Sequence, residues 1–253
     1  MSAPSISAPA RPREGIKVSA LLEIVGLDAY YGRAYILQGL GFTMNRGEVL
    51  ALMGRNGAGK STTMKAIMGL VPPAGGTVTF EGRAVQGREP FEIARLGIGY
   101  VPEDRRVFSE LSVMENLSVA QRPARSDAPH WTPERLFALF PNLGRMRDRP
   151  GGAMSGGEQQ MLTIARTLMG NPKLVLLDEP SEGLAPVIIE EMAKTILALK
   201  AEGLSVLISE QNLHFAGNVA DRAAIIEKGM IRFTGTMDEL KANEAVRTQY
   251  LSV

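Results

Sequence analysis

A glycine-rich segment between an apolar run and a helical run is the strongest constraint on how this chain can fold. Residues 54 to 61 read Gly-Arg-Asn-Gly-Ala-Gly-Lys-Ser. The three glycines let the backbone wrap around a polyphosphate, so that its N–H groups point at the phosphate oxygens. Lys60 would reach the outer phosphates, and the Ser61 hydroxyl would bind Mg²⁺.

The flanking sequence supports this interpretation. Residues 48 to 53 form a short apolar run that suits a buried strand, and Met64, Ile67 and Met68 follow at helical spacing. A strand, a glycine loop and a helix are the arrangement that the motif requires. A glycine-rich turn with an incidental lysine is the alternative, and the flanking elements argue against it. The segment therefore predicts binding of a nucleoside triphosphate.

Composition excludes several classes of function. The 253 residues include 28 basic and 27 acidic side chains, a balance that gives no case for a nucleic-acid-binding surface. No cysteine is present, which excludes disulfides and thiolate catalysis, and two histidines are too few for an ordinary zinc site. No apolar run is long enough to cross a bilayer.

The chain divides into a short extension and one large domain. Residues 1 to 19 are rich in Ser, Ala and Pro, and we expect them to be disordered because they can bury little apolar surface. Strand and helix patterns alternate over residues 20 to 253, which predicts an α/β fold with a mainly parallel sheet. Residues 104 to about 165 are predicted to form an inserted helical subdomain. Two early strands, 21 to 25 and 40 to 44, are expected to flank a loop that carries Tyr30 and Tyr31.

Two acids follow an apolar strand in the second half of the chain. Residues 174 to 179 read Leu-Val-Leu-Leu-Asp-Glu. A strand tip is where a doubly wound sheet places ligand groups, so Asp178 would hold Mg²⁺ opposite Ser61, and Glu179 would orient or deprotonate an attacking water. Two solvated acids at a strand end are the alternative reading.

A second anion site is predicted where Ser155, Gly156 and Gly157 open a long helix. A capping serine in an ordinary loop would explain the same residues. If the second site is real, a head-to-tail pair of chains would use it, because each chain's Ser-Gly-Gly segment would close over the nucleotide of the other.

These motifs, in this order, resemble the nucleotide-binding subunits of ABC transporters, from about residue 21 to the C-terminus. The resemblance implies an ABC-type P-loop ATPase with a RecA-like core, an antiparallel β region and a helical subdomain. It also implies ATP and Mg²⁺ as cofactors, a dimer that sandwiches two ATP molecules, and hydrolysis that reopens it.

The resemblance assigns a role to individual residues. Tyr31 corresponds to the aromatic residue that stacks on adenine, although the adjacent Tyr30 leaves a purely structural role open. The residues implied to contact nucleotide are Tyr31, Gly54, Asn56, Gly57, Ala58, Gly59, Lys60, Ser61, Thr62, Ser155, Gly156, Gly157 and Glu158. The implied catalytic residues are Glu179, Lys60 and Gln211, and the implied metal ligands are Ser61, Asp178 and Glu103.

Two of these positions depart from the general family pattern. Glu103 stands where the loop between core and helical subdomain usually carries glutamine, and a carboxylate there could still bind Mg²⁺ or position water. Gln211 stands where the late switch position usually carries histidine. Glutamine can donate a hydrogen bond to a phosphate but cannot be protonated near neutral pH.

These departures also indicate a branch of the family. The segments at 100 to 108, 154 to 160, 181 to 186 and 210 to 212 resemble the smaller ATPase subunit of branched-chain amino-acid importers. That resemblance implies two integral-membrane permeases, a second ATPase subunit as partner (identical or different), a periplasmic binding protein and a peripheral position on the cytoplasmic face of the inner membrane. Urea, amides or other amino acids are alternative cargoes. A cytosolic ABC ATPase outside transport is a further alternative, and no nucleic-acid partner is expected.

Overall fold

The structure is a computed structural model that describes residues 20 to 251. The predicted disordered extension, residues 1 to 19, lies outside the described part of the chain. The strands are β1 (Leu22–Tyr31), β2 (Ala34–Met44), β3 (Val49–Met53), β4 (Gly75–Phe80), β5 (Arg83–Ala84), β6 (Ile98–Val101), β7 (Leu174–Asp178), β8 (Ser205–Glu210), β9 (Arg222–Glu227) and β10 (Met230–Thr236).

The helices are α1 (Lys60–Ile67), α2 (Pro90–Leu96), α3 (Val113–Ala120), α4 (Pro133–Leu139), α5 (Pro141–Gly144), α6 (Gly156–Leu168), α7 (Pro186–Ala201), α8 (Leu213–Val219), α9 (Met237–Ala242) and α10 (Glu244–Leu251). Within residues 20 to 251, no helix combines the length and the apolarity required to cross a bilayer.

The first sheet is antiparallel, with the strand order β2-β1-β4-β5. The prediction that Tyr30 and Tyr31 lie in a loop is wrong, because β1 continues through both residues. Tyrosine favours extended backbone, and the turn is made instead by Gly32, whose φ of 58° is costly for other residues. Tyr31 therefore has a position fixed by strand pairing with Ala34.

The second sheet forms the core and has the order β10-β9-β3-β8-β7-β6. Its strands are parallel except β10, which pairs with β9 as a hairpin. This confirms the predicted mainly parallel sheet. Because β3, β8 and β7 are parallel neighbours, their carboxyl ends meet at one edge of the sheet, and the segments that follow them share one site.

Both faces of this sheet are covered. Along β3, Val49, Ala51 and Met53 belong to one buried cluster, whereas Leu50 and Leu52 belong to a second cluster on the opposite face. Burial on both faces explains why β3 and β7 are continuous apolar runs rather than alternating ones. The sheet edge that carries the polar loops is thus held by a core on each side.

Helices α3 to α6 occupy the region predicted as a helical subdomain. Ser112 caps α3 and Thr132 caps α4, since each side-chain oxygen accepts a backbone N–H from the first turn. α6 ends at Leu168, beyond the predicted limit of 165, and Asn171 with a φ of 51° makes the turn toward β7. The long helix α6 thus links the inserted helices to the core.

Candidate nucleotide site

The glycine loop connects β3 to α1 and packs tightly on β9. An ideal Cβ on Gly54 would lie 2.3 Å from the carbonyl oxygen of Ile226, so a larger residue would displace the loop. The Gly229 N–H donates to the carbonyl oxygen of Ala58 at 2.9 Å, which ties the loop to the β9–β10 turn. α1 begins at Lys60, and its positive N-terminal end adds to the loop as an anion site.

Lys60 is buried and fully engaged within the chain. Its Nζ donates to the carbonyl oxygens of Gly54 (2.6 Å) and Arg55 (3.1 Å). The same atom forms an ion pair with Glu179 Oε1 at 2.9 Å, and the two side chains are only 4% and 9% exposed. Two of the three predicted catalytic side chains, Lys60 and Glu179, therefore meet at the phosphate loop.

Asp178 is held by three hydroxyl groups. Its Oδ1 accepts hydrogen bonds from Ser61 Oγ (2.9 Å) and Ser209 Oγ (2.7 Å), and its Oδ2 accepts one from the Tyr100 hydroxyl (3.0 Å). Burial, together with the negative charge of Asp178, raises the pKa of Tyr100, so the phenol stays protonated and remains a donor. The hydrogen bond from Ser61 to Asp178 places two of the three predicted metal ligands side by side.

Glu179 follows β7 in an uncommon backbone conformation. Its φ of 47° lies in the left-handed region, which non-glycine residues seldom adopt. The Glu179 N–H donates to the carbonyl oxygen and the hydroxyl of Ser209, at 3.2 and 3.0 Å. Burial raises the pKa of Glu179, while the Lys60 ion pair acts in the opposite direction. A raised pKa suits a carboxylate that exchanges a proton with water near neutral pH.

A cleft of about 350 Å³ opens above the glycine loop. Its lining includes Tyr31, Glu103 and Glu179. The remaining lining residues are Ile36, Asn56, Gly57, Gly59, Lys60, Ser61, Thr62 and Glu182. Tyr30 points elsewhere, since its ring stacks on Tyr35 with centroids 4.5 Å apart. The cleft thus gathers most of the predicted residues, with Gly54 and Ala58 packed beneath them.

The predicted second anion site lies outside this cleft, at the start of α6. Ser155 forms a reciprocal cap with Glu158: the Ser155 N–H donates to Glu158 Oε2 at 2.7 Å, and the Glu158 N–H donates to Ser155 Oγ at 3.4 Å. Gly156 and Gly157 form the first turn, and an ideal Cβ on Gly157 would lie 3.0 Å from the Ile188 side chain. None of these four residues lines the cleft over the glycine loop.

At the end of β8, the sequence analysis identified Gln211 as a candidate site residue but did not identify Ser209 or Glu210. Gln211 is exposed and is not among the residues that line the cleft. Glu210, which precedes it, is 1% exposed, and Ser209 is fully buried. Burial, reinforced by the charge of Glu179, raises the pKa of Glu210 to about 7. Polar residues that close an otherwise apolar strand were the available signal for both, as for Asp178.

The donor set at this sheet edge fits a magnesium nucleotide. Mg²⁺ prefers oxygen ligands and typically takes one or two protein groups alongside phosphate oxygens and water. Ser61 and Asp178 supply a hydroxyl and a carboxylate at adjacent positions. In residues 20 to 251 no group of three or more His, Cys, Asp or Glu side chains could hold a metal by itself, which agrees with a site shared with phosphate.

Comparison with known proteins identifies the family. Residues 37 to 182 match the family model described as ABC transporter. The chain belongs to the ABC transporter family. The chain is 41% identical over 231 residues to the high-affinity branched-chain amino acid transport ATP-binding protein BraG of Pseudomonas aeruginosa, which covers 91% of this chain and 99% of BraG.

Two further proteins are also similar to this chain. The lipopolysaccharide export system ATP-binding protein LptB of Haemophilus influenzae is 34% identical, over 92% of this chain and 97% of LptB. The solved structure of MJ1267, an ATP-binding cassette of an ABC transporter, superposes with a TM-score of 0.79 at 29% identity, over 91% of this chain and 97% of that one. The predicted ABC-type P-loop ATPase fold is confirmed, and the chain is an ATP-binding, ATP-hydrolysing subunit of an ABC transporter.

Proposed function

We propose that this ABC subunit powers import of branched-chain amino acids through separate permease subunits. The observation that carries the ATPase part is the hydrogen bond between Ser61 and Asp178, which joins the phosphate loop to the acid pair at one sheet edge. The observation that carries the cargo is the 41% identity to a branched-chain amino acid transport protein over nearly the whole of both chains.

The residues in and near the cleft have separate roles in ATP hydrolysis. The loop N–H groups and Lys60 would bind the phosphates, and Ser61 and Asp178 would hold Mg²⁺. Glu103, which also lines the cleft, would bind the same ion or its water. When bound, Mg²⁺ neutralises charge that develops on the transferred phosphoryl group. Glu179 orients and deprotonates the attacking water, and Tyr31 stacks on the adenine ring. Gln211 donates a hydrogen bond to the outer phosphate once the segment that follows β8 lies next to the bound nucleotide.

The second anion site requires a second ABC subunit. Ser155, Gly156 and Gly157 lie outside the cleft, so they cannot complete the chain's own nucleotide site without a large rearrangement. In a head-to-tail pair they contact the partner's outer phosphate through backbone N–H groups and the serine hydroxyl, with Glu158 fixing the serine. The partner is either a copy of this chain or a different ATPase subunit.

Permease subunits need a docking surface, and an open groove offers one. The groove, of about 810 Å³, runs along the edge strand β6 between α2 and α6. Phe91 and Leu70 line it and are 57% and 48% exposed, and Arg95, Arg122 and Arg166 also line it. An apolar floor with a basic rim suits a protein segment that presents apolar and acidic or carbonyl groups. We place the chain peripherally on the cytoplasmic face of the inner membrane, with a periplasmic binding protein delivering cargo.

Lipopolysaccharide export is the second candidate, because the chain is also 34% identical to LptB of Haemophilus influenzae. The two candidates require different membrane partners. An importer of amino acids is expected to include a soluble protein that binds the amino acid, so the identity of the co-purified proteins distinguishes the two candidates.

The deciding experiment is gentle detergent purification of the tagged chain from its own cells, followed by mass spectrometry and an ATPase assay. We expect two permeases, a second ATPase subunit and ATP turnover, and we expect the co-purified binding protein to bind leucine, isoleucine or valine. Recovery of export components would select the second candidate, and recovery of soluble partners alone would contradict a transport role.

A further inference from the structure

The backbone of Glu179 requires something to hold it. A non-glycine residue in the left-handed region costs on the order of 1 kcal/mol or more and persists only where its surroundings impose it. Glu179 has a φ of 47°, directly after the last residue of β7. Rotation of this residue toward the ordinary region would swing its carboxylate, so the contacts that fix its φ also aim its side chain.

Ser209 supplies the first of these contacts. It lies on β8 opposite Asp178 and is fully buried. Its hydroxyl accepts the Glu179 N–H at 3.0 Å and donates to Asp178 Oδ1 at 2.7 Å. Its carbonyl oxygen also accepts the Glu179 N–H, at 3.2 Å. One serine therefore fixes the backbone of Glu179 and the carboxylate of the preceding residue together.

Glu210 supplies the next contact, two residues farther along the turn. Its Oε1 accepts the Ser181 N–H at 3.1 Å, and its Oε2 accepts the Asn212 N–H at 3.4 Å. A carboxylate that is 1% exposed is costly to bury unless its hydrogen bonds repay the loss of hydration. This one joins the turn after Glu179 to the segment that carries Gln211.

We propose that Ser209 and Glu210 are positioning residues for hydrolysis, which hold the turn from Glu179 to Ser181 so that the Glu179 carboxylate faces the attacking water. The proposal rests on the proposed role of Glu179. Glu210 neither lines the cleft nor bonds Asp178, so its loss should slow the chemical step without weakening ATP binding. Loss of Ser209 should slow the same step and also removes one contact of Asp178. Misplacement of a reacting group by about 1 Å can cost about 100-fold in rate.

The same sheet provides matched controls at its opposite end. Ser205 lies on the same strand, is equally buried, and its hydroxyl accepts the Gly47 N–H at 2.8 Å. Glu48 is 9% exposed and accepts the Asn45 N–H at 2.7 Å. Replacing these residues removes the same kinds of hydrogen bond far from Glu179.

The experiment compares ATP hydrolysis and ATP affinity for variants in the complex purified from the source cells. For Ser209→Ala and Glu210→Leu we expect kcat to fall about 10- to 100-fold. For Glu210→Leu, the ATP Kd and KM should stay at the wild-type values. Glu210→Gln retains one acceptor for the Ser181 N–H and should recover part of the loss. Ser205→Ala and Glu48→Gln should lose stability while kcat stays at the wild-type value.

Amide hydrogen exchange on the full chain gives a readout that does not depend on turnover. We expect faster exchange at Glu179 and Ser181 in the two β8-end variants and not in the controls. If Glu210→Leu does not fold, Ser209→Ala and Glu210→Gln still decide the matter. Wild-type kcat in both, in a complex whose Glu179→Gln variant is inactive, would overturn the inference alone. An inactive wild-type complex would overturn the proposed function together with it.

Discussion

The two predicted anion sites of this chain differ in how completely the chain itself satisfies them. At the glycine loop, the carboxylates of Asp178 and Glu179 already have partners within the chain, and the lining residues come from several elements of the core. At the start of α6, the site consists of one helix end with its own capping pair, Ser155 and Glu158. Its two glycines contact the side chains of Arg105 and of Ile188 on α7.

On the proposed function, the difference predicts that the glycine loop binds ATP by itself and that the α6 site needs another subunit. A site built from several core elements is preorganised, whereas a bare helix end gains its specificity from what is brought to it. Variants at the glycine loop should therefore alter properties of the isolated chain. Variants at α6 should leave ATP binding by the isolated chain unchanged and should alter ATP turnover by the assembled transporter.

The largest effect should come from Glu179→Gln. We expect ATP turnover by the assembled transporter to fall about 1000-fold, because the amide cannot accept a proton from water, while ATP still binds. Turnover and equilibrium ATP binding measure the two properties separately. Glu202→Gln, at an exposed acid paired with Arg135, serves as the control. Loss of ATP binding together with turnover would assign Glu179 to binding rather than to catalysis.

The next effect is expected in the stability of the chain, which should depend on pH in opposite directions at the two sites. The pKa of Glu210 is raised to about 7, so the folded chain binds more protons than the unfolded chain between pH 4.5 and 7. The stability of the wild type relative to Glu210→Gln should fall by about 3 kcal/mol as pH rises through that window, and then level off. Chemical denaturation at a series of pH values measures it.

At α6 the sign is reversed. The Ser155 N–H lowers the pKa of Glu158, so its contribution is present above the ordinary glutamate pKa and is lost as pH falls below it. Glu158→Gln should therefore be less stable than the wild type at neutral pH, and the difference should shrink as pH falls below the ordinary glutamate pKa. If stability changed with pH in the same way in the Glu210→Gln and Glu158→Gln variants, the contrast between the two sites would be wrong.

The third effect is expected from Gly157→Val. A side chain there collides with Ile188 and obstructs the N–H groups of α6, so turnover of the assembled transporter should fall about 100-fold. The isolated chain should bind ATP as the wild type does. Gly170→Ala, after the end of the same helix, is the control. A weakened ATP Kd in the isolated Gly157→Val chain would mean that the two sites are not independent.

Gly54→Ala should weaken the glycine loop itself. Its Cβ would lie 2.3 Å from the Ile226 carbonyl oxygen, and relief of that clash should cost about 2 kcal/mol in the free energy of unfolding. Gly57→Ala meets no atom within 4 Å and carries only the strain of a positive φ, about 1 kcal/mol. Thermal unfolding shows which of the two variants is less stable. If Gly57→Ala were the less stable one, the clash with Ile226 would not be the larger cost.

The smallest effect should come from Tyr31→Ala. Loss of a stacking ring at the side of the cleft should weaken ATP binding by about 1 kcal/mol, roughly fivefold. Tyr30→Ala removes the neighbouring ring, which stacks on Tyr35, and should leave ATP affinity unchanged. Titration with a fluorescent ATP analogue compares them, and equal losses would mean that neither ring stacks on adenine.

Sequence patterns predicted the sheet and the glycine loop because both depend on local signals. An apolar strand, a glycine-rich turn and an acid pair each identify themselves within a few residues, and parallel pairing then brings Asp178 to Ser61. The position of Tyr31 on β1 was missed because two tyrosines before a glycine read equally as strand end or loop. Ser209 and Glu210 also close an apolar strand, but their roles were missed because these depend on contacts with other strands and turns, which the local pattern does not specify.

The ion pair between Lys60 and Glu179 has a consequence for timing. An ammonium group has three protons to donate, and Lys60 Nζ has three acceptors: two loop carbonyl oxygens and the Glu179 carboxylate. A phosphate can therefore recruit Lys60 only by displacing one of them, and the carboxylate is the acceptor on a side chain that can turn away. Binding of ATP would thus release Glu179, the base for its hydrolysis, from Lys60. Until a phosphoryl group is present, the ion pair keeps the Glu179 carboxylate from acting on water.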